Sequence, residues 1–301
     1  LTADHWDPNL FVQVGDEPNV RAGSRRLADG MTVSAQNVWP SLRWDLAAIN
    51  QLVGRFLSSG FYYKTFMWPR FLWHTLYQKI LRQFAPGGRI HWETSTHGAY
   101  DQRYAHPDVL VAGGGPSGMA AALGAADAGA AVMLVEHEAE LGGHLRWGGS
   151  DDLTDLAGLS AAVVAHPGIE VLLDSTVTGR YDHNWVAVVQ RSHPIAPERL
   201  IKARVGTLVV APGLVERPYV FAGNDTPGVM LSGAARRLIN LWAVKPGTRA
   251  VVLSANAQGD AAIADLESAG VEIVAALDAR AGDDIVRVEG RGRVSSVHLG
   301  D

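Results

Sequence analysis

The chain has 301 residues, 47% hydrophobic and 19% charged, a composition that builds globular cores, excludes disorder and fibres, and gives length enough for two domains. A formal charge of −5 leaves no cationic excess to neutralise a phosphate backbone, which argues against a nucleic-acid partner. The absence of cysteine removes disulfides, thiolate zinc sites, iron-sulfur ligation and the CxxC centre of disulfide reductases. No apolar run approaches the roughly 20 residues that cross a bilayer, and no basic leader or signal core is evident. A soluble, cytoplasmic protein with no membrane partner is expected.

Residues 1–105 form an aromatic-rich segment, expected to be mostly helical or irregular, with Trp39, Trp44, Phe61, Tyr62, Tyr63, Phe66, Trp68, Phe71, Trp73 and Tyr77 crowded together. Within it Leu72, Leu76, Ile80 and Phe84 recur at helical spacing, with Pro69 at the start and Pro86-Gly87-Gly88 at the end, which predicts one amphipathic helix over 71–84. The aromatic cluster from Phe61 to Trp68 reads as a subunit interface before it reads as a flavin pocket.

Residues 106–214 alternate strand and helix signals. Asp108 to Ala112 and Ala131 to Val135 are short apolar runs flanking a small-residue helix from Ser117 to Ala128, a βαβ pattern. Strand signals follow at 170–173, 185–190 and 207–211. Residues 215–301 repeat the rhythm, with strands at 249–254 and 271–277 around a helix at 260–269. The turn Ser254 to Gly259 lacks two of the three glycines a pyrophosphate turn needs, so this second unit is degenerate. Leu1 is not an initiator, and 293–299 reads as a strand without a partner; both suggest a piece of a longer chain.

Gly113, Gly114, Gly115, Pro116, Ser117 and Gly118 satisfy G-x-G-x-x-G directly after a strand and at the opening of a helix. The first glycine permits the tight turn, the second lets the backbone approach a pyrophosphate, and the third lets helix and sheet pack closely, while free helix amides face the phosphates. Glu136 ends the second strand about 20 residues later, where a carboxylate binds an adenosine ribose and repels a 2′-phosphate. His137 and Glu138 follow in place of an arginine, which favours NAD or FAD over NADP. Gly142-Gly143-His144-Leu145 is a turn that related folds bring back toward the dinucleotide. Thr176 to Gly179 close a strand whose main chain, at Val177, can read the adenine edge. No metal-ligand spacing or nucleophile and base pairing stands out, and Asp182-His183, read as neighbours on a strand, would point to opposite faces. Catalytic residues are therefore not assigned.

Gly60-Phe61-Tyr62-Tyr63-Lys64-Thr65-Phe66-Met67-Trp68-Pro69, preceded by Gln36 to Leu42, resembles a segment of sarcosine oxidase alpha subunits. Val109 to Gly118, Leu141 to Leu145, Tyr181 to Asn184, Glu216-Arg217-Pro218 and Asn224 to Met230 look similar in the same order. The resemblance implies a heterotetrameric flavoprotein whose alpha subunit binds NAD, while sarcosine is oxidised at FAD in a beta subunit and electrons reach FMN between the two; smaller gamma and delta subunits complete it. The NAD contacts carried over are Ser117, Glu136, His137, Glu138, His144 and Val177, although His137 and His144 depart from the family pattern. A ferredoxin-like domain ahead of Leu1 and a folate-binding domain beyond Asp301, which would take the one-carbon unit on tetrahydrofolate, are implied as missing, and the piece should be inactive alone. The alternatives are an amino-acid or opine dehydrogenase alpha subunit holding FAD at the same turn, and a nucleotide-bearing scaffold with no redox role. The fold class expected is α/β, with two Rossmann-like units of the FAD/NAD-linked reductase kind over 106–214 and 215–301.

Overall fold

The computed structural model describes residues 11–22, 25, 27–36, 38, 40, 41, 43–46, 68–78, 100–148, 150–191, 193–196, 198–290 and 292–300. The chain forms two compact units, Leu1–Ala99 and Tyr100–Asp301. The first contains strands that the sequence reading did not anticipate. Strand β1 (Phe11–Val14) pairs antiparallel with β2 (Glu17–Arg21) and β3 (Val33–Ala35), and β4 (Pro40–Ser41) pairs with β5 (Trp44–Asp45). Of the helix expected over 71–84, a π-type turn at Trp73–Tyr77 is described. Ile80, Phe84, Pro86-Gly87-Gly88 and residues 60–67 lie outside the described residues.

In the second unit, strand β6 (Tyr100–Ala105) comes first. Strands β7 (Val109–Ala112), β8 (Val132–Val135), β9 (Ile169–Leu172) and β13 (Thr207–Val210) form a parallel sheet in the order β13-β7-β8-β9. Helices α1 (Pro116–Asp127) and α2 (Ser150–Ala165) are its crossovers. The runs Val-Leu-Val-Ala and Val-Met-Leu-Val are apolar throughout because both faces of the sheet are covered. Leu110, Met133 and Val135 turn to one side, against Val186, Val188, Ile201 and Ala203. Val111, Val132 and Leu134 turn to the other, against Met119, Ala122, Ala126, Leu141 and Val163. The second layer is thus not foreseen in full: α2 brings Leu156, Leu159 and Val163 onto this side at helical spacing.

Covering the first side is a sheet of order β10-β11-β12-β6, made of β10 (Ser175–Tyr181), β11 (Trp185–Arg191), β12 (Glu198–Arg204) and β6. β10, β11 and β12 are an antiparallel meander, and β6 runs parallel to β12 from Glu198↔Tyr100 to Ala203↔Ala105. These hydrogen bonds put residues 100–105 in the second unit, although composition groups them with the N-terminal segment. Asp182 and His183 are not strand neighbours. They lie in the single 3-10 turn Asp182–Asn184 that links β10 to β11, with His183 and Asn184 both at φ 57.

Past this layer, α3 (Ser232–Trp242) packs on α4 (Ala257–Ser268), the crossover between parallel strands β14 (Arg249–Ser254) and β15 (Glu272–Asp278). The strand signal at 293–299 is corrected in one respect: β17 (Ser296–Leu299) does have a partner, pairing antiparallel with β16 (Ile285–Glu289). The alternation Ile285-Val286-Arg287-Val288-Glu289 was the overlooked signal. Among the described residues no helix is long and apolar enough to cross a membrane.

Candidate dinucleotide-binding site

The site is built where β7 hands over to α1. Gly113 takes φ +113, and a Cβ there would lie 2.1 Å from the Ala211 carbonyl oxygen at the end of β13. A Cβ on Gly118 would lie 1.8 Å from the Gly113 oxygen. Neither position accepts a side chain, so the strand, turn and helix close on one another only with glycine. Gly115 is the N-cap of α1, followed by Pro116, and it offers no side chain to the helix start. The first-turn amides at Ser117 and Gly118 have no intrahelical acceptor, as at any helix start, and they carry the positive end of the dipole.

The Gly-Gly turn comes back onto this loop. Gly142, at φ 127, donates its N–H to the Gly114 carbonyl oxygen at 2.9 Å. A Cβ on Gly143 would sit 3.0 Å from Gly115 Cα, whereas one on Gly115 would meet Gly143 Cα at 3.9 Å. Two side-chain-free turns therefore face each other at the positive end of α1, where backbone amides can receive an anion.

Glu136 is 3% exposed at the end of β8. Its Oε2 accepts from the Gly114 N–H at 2.6 Å, and its Oε1 accepts from the Glu138 N–H at 2.8 Å and lies 2.8 Å from His137 Nδ1. Burial opposes the charged form, but the His137 hydrogen bond and the two backbone donors outweigh it and hold the carboxyl below its usual range. His137 is raised to about 9 by its hydrogen bonds to Glu136 and Glu138. Glu138 is lowered to about 2 by its hydrogen bond with His137 and then by Arg237.

The structure brings Gly113, Gly114, Gly115, Pro116, Ser117, Gly118, Glu136 and Gly143 together around the start of α1, with Gly114, Gly118 and Glu136 buried. His137 and Glu138 follow at the edge of the site, tied to each other. His144 is exposed on the 3-10 turn Gly143–Trp147, whose start is the Gly-Gly turn. Val177 packs its side chain against the apolar cluster between the sheets, which leaves its main chain, the group the sequence reading named, for a ligand. The start of β10 lies beside the end of β8, with Ser175 N–H donating to Glu136 O at 2.8 Å and Asp174 N–H to Glu138 O at 2.9 Å. Next along β10, Thr176 is buried and its hydroxyl has no protein partner.

The turn between β14 and α4 provides a contrast. Its helix start is closed by its own side chains, with Asn256 accepting from Gln258 N at 2.9 Å and Ser254 Oγ from Asn256 N at 3.2 Å. A Cβ on Gly259 would lie 2.0 Å from Ser254 Oγ. The amides that a phosphate would need are already used.

Residues 108–203 match the family described as FAD dependent oxidoreductase. The sarcosine oxidase subunit alpha of Rhizobium meliloti (strain 1021) is 41% identical over 93% of this chain and 30% of that protein. The chain is homologous to sarcosine oxidase alpha subunits. The subunit alpha of Corynebacterium sp. (strain P-1) is 39% identical over 60% of this chain and 20% of that protein. Among solved structures, L-proline dehydrogenase from P. horikoshii superimposes with a TM-score of 0.55 at 25% identity, over 66% of this chain and 41% of that one. The chain thus spans 30% and 20% of the two sarcosine oxidase subunits it matches here.

In this sarcosine oxidase alpha homologue, several residues at the site escaped the sequence reading. Ala211 forms the wall that requires Gly113. Helix α3 supplies three side chains to the edge of the site: Arg236 and Asn240 donate to the Trp147 carbonyl oxygen at 3.3 and 3.0 Å, and Arg237 donates to Glu138 Oε1 at 2.5 Å with its guanidinium 4.9 Å from the Trp147 ring centroid. Arg237 lies far along the chain from Glu138, and no local spacing links them.

Proposed function

We propose that this chain is the dinucleotide-holding part of a sarcosine oxidase alpha subunit and that the dinucleotide is NAD. The observation that carries this reading is the facing of Gly115 and Gly143 at the start of α1, closed by the Gly142 to Gly114 hydrogen bond. The pyrophosphate fits against Gly113 to Gly118 and Gly143, with Ser117 and Gly118 donating. Glu136 takes the adenosine ribose: Oε1 is used by the Glu138 N–H and His137, while Oε2 accepts only from the Gly114 N–H and keeps a lone pair for a ribose hydroxyl. The buried, unpartnered Thr176 hydroxyl and the main chain at Val177 lie further along the strand that starts beside Glu136, where the adenine edge would be read. Ser117, His137, Glu138 and His144 are assigned as contacts by the resemblance.

When bound, NAD supplies hydride-accepting and hydride-donating capacity; the residues named here bind it, orient it and exclude water. In the assembled enzyme sarcosine is demethylated to glycine, hydrogen peroxide and a one-carbon unit, with the chemistry at FAD in a beta subunit and electrons passed to FMN. Gamma and delta subunits complete the complex, and tetrahydrofolate takes the one-carbon unit at another part of the alpha subunit. Catalytic residues then lie outside this chain.

A second reading, FAD at the same turn, is favoured by the match of residues 108–203 to FAD dependent oxidoreductases. Denaturing release of nucleotide from the purified chain, followed by mass identification, separates them. NAD supports the first reading and FAD the second; no nucleotide in a folded sample contradicts both.

A further inference from the structure

The end of β8 carries no arginine of its own, yet one reaches it from elsewhere. Arg237 of α3 donates to Glu138 Oε1 at 2.5 Å, and its guanidinium lies over the Trp147 ring, 4.9 Å from the centroid. His137 Nε2 stands 3.4 Å from the same Glu138 oxygen, and His137 Nδ1 is 2.8 Å from Glu136 Oε1. The charges alternate along a contiguous row: Glu136, His137, Glu138, Arg237.

A dinucleotide with a 2′-phosphate is ordinarily accepted by an arginine near the ribose, where a 2′-hydroxyl is accepted by a carboxylate. Here both chemistries are present at one strand end, and the guanidinium is taken up by Glu138. One face of the guanidinium lies over an aromatic ring, a favourable seat for it, and the side chain is 39% exposed. Arg236 and Asn240, on the same helix, donate to the Trp147 carbonyl oxygen, so α3 is anchored to the turn that follows Gly143 and Arg237 is held at this edge by more than its own ion pair.

We infer that Glu138 and Arg237 together determine which dinucleotide this chain takes: Arg237 is a 2′-phosphate ligand masked by Glu138, and the pairing makes the site selective for a plain 2′-hydroxyl. This rests on the reading that Glu136 holds an adenosine ribose. Arg237 is a positioning residue in the unaltered protein, acting through Glu138, and becomes a direct ligand when that carboxylate is removed.

The test is calorimetric titration of the full chain, stripped of nucleotide, with NAD, NADP and 2′,5′-ADP. Unaltered protein binds NAD and discriminates against NADP; if it binds neither, the underlying ribose reading fails. Glu138→Gln raises NADP and 2′,5′-ADP affinity by about tenfold or more. Adding Arg237→Met to that variant removes the gain in NADP and 2′,5′-ADP affinity. No gain in Glu138→Gln overturns the proposal, and so does a gain that survives Arg237→Met, because Glu138 would then repel the phosphate without masking a ligand. Glu138→Ser, read in the same way, replaces Glu138→Gln should the latter not fold.

Discussion

Gly115 and Gly143 meet backbone to backbone: a Cβ on Gly143 would fall 3.0 Å from Gly115 Cα, while Gly142 N–H bonds to Gly114 O at 2.9 Å. This contact joins the loop after β7 to the turn after β8, and it divides the glycines of the site into two kinds. Some are required by the fold itself, and Gly115 has room for a Cβ.

Gly113 and Gly118 are of the first kind. Gly113→Ala places a methyl 2.1 Å from the Ala211 oxygen at φ +113, and Gly118→Ala places one 1.8 Å from the Gly113 oxygen. Either substitution forces β7, β13 and α1 apart, with an expected loss of about 1–3 kcal/mol. Chemical denaturation followed by circular dichroism measures it, and unchanged midpoints would show that the turn is not built as described.

The row Glu136, His137, Glu138 sets a pH dependence. His137 has a folded-state pKa of about 9 against an ordinary 6.5, so its contribution is fully present below pH 6.5 and is lost as pH rises toward 9. Glu138, lowered from 4.5 to about 2, contributes above pH 4.5 and loses that contribution as pH falls toward 2. Denaturation midpoints of unaltered protein should decline between pH 6.5 and 9 more steeply than those of His137→Gln. Parallel profiles would rule out His137 as the source. Because His137 is 44% exposed, solvent screening keeps the effect modest.

Leu134→Ala tests the packing layer beneath the site. Leu134 is fully buried between the sheet and helices α1 and α2. The truncation should cost about 2–5 kcal/mol. At temperatures where the variant is folded, nucleotide affinity should stay within a few fold of the unaltered protein, since Leu134 does not reach the cradle.

The cradle was legible in the sequence because its signals are local. A strand of four apolar residues, a glycine pattern and a small-residue helix sit side by side from Val109 to Asp127, and Glu136 ends the next apolar run. Helix α2 was not legible: Leu156, Leu159 and Val163 are diluted by Ala157, Gly158, Ser160, Ala161 and Ala162, which lowers the contrast between its faces. The parallel pairing of β6 with β12 and the contact of Arg237 with Glu138 join distant segments. Such contacts follow from how the layers stack, and residue spacing does not encode them.

Glu136→Gln tests the ribose contact. It removes the charge while preserving one acceptor, and a hydrogen bond to a charged group is worth about 1.5–3 kcal/mol. NAD affinity should fall by about tenfold or more. Equal affinity would place the ribose elsewhere.

Gly115→Ala is the most direct test of the central claim. A methyl at Gly115 meets Gly143 Cα at 3.9 Å, an ordinary contact, at φ −72 where any residue is comfortable. The free protein accommodates it, but the methyl enters the space between the two turns. Titration with NAD, alongside thermal denaturation, is the measurement. The structure predicts a melting temperature within a few degrees of the unaltered protein and nucleotide binding weakened about tenfold or more. Unimpaired binding of NAD and FAD by a folded Gly115→Ala chain would contradict the claim that these facing glycines hold the diphosphate.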